Sequence, residues 1–201
     1  MKNKIQIKHL ILASYLAAFS IVIDASVKAI LGVQTFGLPF HNIPIIYASI
    51  VLGPIYGVGI ALVGDVLGLL LAGHIVYFAP WFMLAPIAWG LIPGLFLHKK
   101  INKRNVILVI GITHLVATIA NTFGLVLNDL IQTHGLFEYS WRDATVLPTI
   151  IGGLIRRIPI FFLILPNAYI LSLVTIRLHE RLQPFQVDLI TSPTKQVSEI
   201  N

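Results

Sequence analysis

Long apolar runs separated by short polar breaks organise this chain. The first run extends from about His9 to Leu31, and Gly37 and Pro39 break the segment after it. A short second run, Ile43 to Leu52, stops at Gly53-Pro54. It is too short to span a bilayer upright, so it is expected to be tilted or partly re-entrant. The third run, Ile55 to Ala72, carries Gly57, Gly59, Gly64 and Gly68 on a small-residue face that suits close helix contact. The fourth, about Pro80 to Leu97, holds Pro86 and Pro93 and is expected to kink. The fifth is Val106 to Ile131, and the last is about Ala144 to Leu178, longer than one span needs. The pattern predicts an all-α membrane protein, a bundle of six transmembrane helices over residues 1–182. The polar tail 183–201, with Pro184 and Pro193, is expected to be disordered.

Composition supports the membrane reading. Of 201 residues, 57% are hydrophobic and only 11% charged, against about a quarter charged in a soluble domain. Mean hydropathy is +0.88. There is no cysteine, so neither a disulfide nor a thiolate metal site is available. The net charge of +6 does not point to nucleic acid, because the basic residues sit at the ends of the apolar runs. Lys2, Lys4 and Lys8 precede the first run; Lys99, Lys100, Lys103 and Arg104 separate the fourth and fifth; Arg177 and Arg181 follow the last. With six spans these groups share one side, which the positive-inside rule makes the cytoplasm, with both termini there and the protein in the plasma membrane. No cleavable signal peptide is expected, since the first run is too long. The opposite loops are rich in His41, His74, Tyr77, Trp81, His134, Tyr139 and Trp141, which suit either an interfacial aromatic belt or a lid over an outward pocket.

Ionisable residues inside a membrane are the default functional candidates. Asp65 lies about 16 Å into the third run at 1.5 Å per residue. Arg156 and Arg157 reach a similar depth in the last run, so Asp65 is expected to pair with one of them as a structural charge pair. The arginines are equally open to ligand contact. Asp24 and Lys28, spaced i, i+4, form a helix pair at the outer end of the first run. In the fifth run, Asn121 and Asn128 lie toward the outer side and His114 deeper. A nucleotide-binding P-loop, H-E-x-x-H and G-x-S-x-G are all missing from the sequence, so no enzymatic activity is expected and any driving energy comes from a partner or an ion gradient.

Several segments together resemble a known family. They are the alanine-rich Ala13-Ser14-Tyr15-Leu16-Ala17-Ala18, the block Leu52-Gly53-Pro54-Ile55-Tyr56-Gly57 followed by Gly64-Asp65-Val66-Leu67-Gly68, Asn121-Thr122, and Arg156-Arg157-Ile158-Pro159 with Pro166. The chain resembles an S component of an energy-coupling factor (ECF) transporter, of the folate-type group, over about residues 8 to 180. The resemblance implies six helices and a vitamin pocket at the outer face, closed by the loops after the first and third helices. It implies docking on a transmembrane T subunit that couples two ATPases, with Ala13, Ala17 and Ala18 at the docking face. No cofactor or metal is implied.

Folate-binding members carry an arginine near the outer end of the first helix, where this chain reads Ile23-Asp24-Ala25-Ser26. Hydroxymethylpyrimidine or a B6 vitamer fits better than folate, as does pantothenate if Arg156 or Arg157 faces the pocket. The substrate-binding candidates are His74 and Tyr77 over the mouth, Trp81 stacking on a planar ring, the amides of Asn121 and Asn128, and the two arginines. A self-sufficient secondary carrier or channel is the alternative; it predicts pseudo-symmetric halves, and the glycine-rich third helix has no equivalent in the sixth.

Overall fold

The computed structural model describes residues 7–31, 40–74, 78–98, 102–134 and 145–191. Within them the fold is all-helical. Six helices follow in order: α1 (Ile7–Leu31), α2 (Asn42–Leu52), α3 (Pro54–Leu71), α4 (Leu84–Leu97), α5 (Lys103–His134) and α6 (Val146–Thr191), with one 3-10 turn, Pro80–Met83, before α4. Five are long and apolar enough to cross a membrane, counting the 3-10 turn with α4. The chain is therefore a multi-pass membrane protein. The sixth expected span is α2, which has only 11 residues and rises about 16 Å.

Local chemistry explains the break after α2. Gly53 has φ +107°, a region that side chains disfavour, and Pro54 opens α3 with its preset φ. Below this corner, Nδ1 of His98 hydrogen-bonds the Ile50 carbonyl at 2.8 Å, tying the end of α2 to the end of α4. Pro44 lies in the first turn of α2 and Pro86 in that of α4, where a missing N–H is tolerated, while α4 continues through Pro93. The α6 helix runs on to Thr191, so the tail expected to be disordered from Gln183 is helical for its first nine residues. Residues 192–201 lie outside the described residues.

The long helices pack in the order α1, α3, α4, α5, α6, and α2 fills the space between α1, α3, α4 and α6. Its residues Pro44 to Ile50 are all buried, as for a helix that is apolar all round. The α3 and α4 backbones touch: a Cβ on Gly90 would lie 2.5 Å from the Gly57 carbonyl carbon. The height of α2 positions the site. Its start is held at the level of Ser20, whose hydroxyl donates to the His41 carbonyl at 2.9 Å. Its end lies near the beginning of α1, where Tyr56, two residues into α3, packs edge-on to His9. From Ser20, α1 climbs about 16 Å further to Leu31. Hence α2 fills the bundle only toward the end where the chain begins. That end also carries the exposed Lys103, Arg104, Arg177 and Arg181, with Lys103 3.0 Å from Glu180. The opposite end of the bundle is not filled by α2.

Candidate functional site

Two charged groupings occupy that far end. The first joins α1, α3 and the start of α2. The Lys28 ammonium lies 2.5 Å from Oδ2 of Asp24 and 3.1 Å from Oδ1 of Asp65. Nδ1 of His41 is 3.7 Å from the other Asp24 oxygen. The Asp24 carboxylate fits only because residue 68 has no side chain; a Cβ on Gly68 would stand 1.9 Å from it. Burial holds the His41 imidazole below the usual histidine range, partly opposed by Asp24.

This grouping corrects the expected pairing of Asp65 with Arg156 or Arg157. Helix α3 packs on α1, α2 and α4, whereas α6 packs on α5 and α2. Equal depth along two helices does not bring side chains together when those helices are not neighbours. The expected Asp24–Lys28 pair is present, with Asp65 as a second acceptor that one ammonium, having three donors, can serve.

The second grouping lies between α5 and α6. Nη2 of Arg156 donates to Oδ2 of Asp129, and Nε of Arg156 donates to the Gly152 carbonyl at 3.3 Å. An open cavity of about 590 Å³ is lined there by Asp129, Gln132, Pro148, Thr149, Gly152 and Arg156. That volume suits a small metabolite. Gly153 seats against Val126, which lets α6 approach α5 closely at this level. The next residue to Arg156, Arg157, keeps a buried Nε with no hydrogen-bond partner among the described residues.

The expected site residues divide between these elements. Arg156 lines the cavity. Asn128 is half-buried and one turn before Gln132, so it shares the cavity-facing side of α5, and Asn121 is two turns further down the same side. His114 continues the stripe, bonding Thr118 Oγ1 at 3.2 Å and packing edge-on to Trp89. Trp81, in the 3-10 turn, lies beside this part of α5: with Phe82 it covers Gly124, between Asn121 and Asn128, and its indole N–H is buried without a partner among the described residues. His74 follows α3, its N–H donating to the Leu69 carbonyl at 2.8 Å, and is not part of the cavity lining. Tyr77 lies outside the described residues.

Sequence reasoning missed Asp129, Gln132 and Thr149. The signal for Asp129 was present: an acidic residue in the last apolar stretch of α5, beside Asn128. The three alanines expected at the docking face differ in exposure. Ala13 is buried in the core and Ala17 is packed against it. With Ser20 and Asp24 they recur every three or four residues on one face, the seam by which α1 meets α2 and α3. Of the three alanines only Ala18 is exposed.

Fold and cavity together define a polytopic helical membrane protein that presents a polar pocket at one end of its bundle. The family model for the substrate-specific component of ECF transporters matches residues 8–179, and the chain belongs to that family. Membership implies association with the T and ATPase subunits of an ECF module. No curated protein and no solved structure matches the chain.

Proposed function

We propose that this chain captures a small water-soluble vitamin or vitamin precursor from outside the cell and delivers it to a T subunit driven by two ATPases. The observation that carries this reading is the open cavity of about 590 Å³ between α5 and α6, at the end of the bundle that α2 does not fill. It offers a guanidinium, a carboxylate, an amide and a hydroxyl to one small volume, polar groups that can orient a small molecule. Asn121, Asn128 and Trp81 extend it with amide groups and an aromatic face. The basic end, with Lys103, Arg104, Arg177 and Arg181, then faces the cytoplasm, the cavity opens outward and the protein resides in the plasma membrane. The chain has no catalytic role of its own.

Docking on the T subunit falls to the exposed side of α1, where Ser14 and Ala18 are small, exposed and one turn apart. Two measurements test the reading. Native mass spectrometry of the detergent-purified protein should reveal a retained vitamin-sized molecule. Cells expressing the chain with T and ATPase subunits should accumulate that molecule, and Ala18→Trp should stop uptake while leaving binding intact. Uptake without the partner subunits would favour a self-sufficient carrier instead.

A further inference from the structure

We infer that the substrate carries a carboxylate, and that this carboxylate takes the place of Asp129 on Arg156. The inference rests on the capture reading above and names the chemistry of the same cavity. Arg156 projects from α6 in an apolar helix, yet its side chain is 54% exposed, while that of Asp129 is 19% exposed. Both side chains line the open volume, the guanidinium the more exposed of the two. Of its five N–H donors, one goes to Asp129 and one to the Gly152 carbonyl. Its other N–H groups have no partner among the described residues and are free for a ligand. Arg157 adds a second guanidinium one residue on, with its Nε buried and unpartnered among the described residues.

Charge completes the argument. Between α5 and α6 at this level the described residues supply two guanidiniums, that of Arg156 partly exposed to the open cavity, and one carboxylate. A bound anion would meet a cation of opposite sign there. A carboxylate also matches the guanidinium fork with two parallel hydrogen bonds. In the empty protein Asp129 holds Arg156 in position. When the ligand carboxylate binds Arg156, Asp129 gives up its bond to that guanidinium and the amides of Gln132 and Asn128 meet the neutral part of the ligand.

Matched acid and amide pairs test this directly. The purified full-length chain is titrated by calorimetry with pantothenate and panthenol, nicotinate and nicotinamide, and biotin and biotin amide. The same compounds, with pyridoxine and hydroxymethylpyrimidine, are offered to cells expressing the chain with its partner subunits. At least one acid should bind, with its neutral counterpart at least 30-fold weaker. Arg156→Gln should weaken that acid by a similar factor, whereas Asp129→Asn should tighten it severalfold, because the internal competitor is gone. If Asp129→Asn weakens binding as much as Arg156→Gln does, the pair is a structural pin and the exchange is wrong. Binding or uptake of neutral compounds alone would overturn the carboxylate class while leaving vitamin capture standing. Accumulation of none of them by cells holding all the subunits counts against the capture reading, and this inference falls with it.

Discussion

Lys28 and Arg156 are both cations in apolar helices, and each is bonded to an aspartate. Their surroundings differ. Lys28 is 11% exposed, Asp24 only 3%, and the group is enclosed by α1, α3 and the start of α2. Its ammonium serves two carboxylates, and the helix opposite is shaped around Asp24 by Gly68. Arg156 instead has, among the described residues, one carboxylate partner and donors left over, with an open cavity in front of it. A buried and saturated ion group fixes how helices pack, because breaking it strands a charge. A partly exposed and unsaturated one contributes little to stability but can exchange partners. The contrast separates structure from function at the same end of one bundle.

The largest expected effect comes from breaking the enclosed group. Lys28→Ala leaves two carboxylates facing each other and should cost about 3–5 kcal/mol, the range for removing one member of a buried ion pair. Thermal unfolding in detergent should show a large fall in midpoint, and the triple variant Lys28→Met, Asp24→Leu, Asp65→Leu should recover most of it. If Lys28→Ala melts like the parent, the enclosed group is not what holds α1 to α3.

Gly68→Ala should follow, at about 1–3 kcal/mol, because its methyl group collides with the Asp24 carboxylate and forces it off Lys28. Combining it with Asp24→Ala should remove most of the added penalty, which a double-mutant cycle would measure.

His41 gives the enclosed group a dependence on pH. Its pKa is lowered in the folded protein, mainly by burial, so the fold favours the neutral ring. The stability it contributes is fully present above the ordinary histidine value of about 6.5 and is lost as pH falls through the lower folded value. Melting midpoints should therefore be flat near neutrality and drop on acidification, and His41→Gln should reduce that drop. An acid limb unchanged by His41→Gln would assign it to other groups.

The smallest expected change in stability belongs to the open pair. Arg156→Ala should shift stability by no more than about 1 kcal/mol while weakening ligand binding at least tenfold, or about 1.4 kcal/mol. A fall in melting midpoint like that of Lys28→Ala would erase the distinction between the two regions.

The amino-acid sequence by itself determined the membrane character, the long apolar helices, the corner at Gly53-Pro54, the gathering of basic residues at one end and the i, i+4 pair of Asp24 with Lys28. These depend on local quantities: run length against bilayer thickness, the φ preferences of glycine and proline, and spacing within one helix. The tertiary structure decided the rest. It gave Asp65 to Lys28 and Arg156 to Asp129, turned Ala13 into the core, buried α2 on all sides and brought Gln132 and Thr149 to one cavity. Each of these depends on which helices are neighbours. In lipid that order is weakly written in the sequence, because the faces of a helix that meet protein and those that meet hydrocarbon are both apolar.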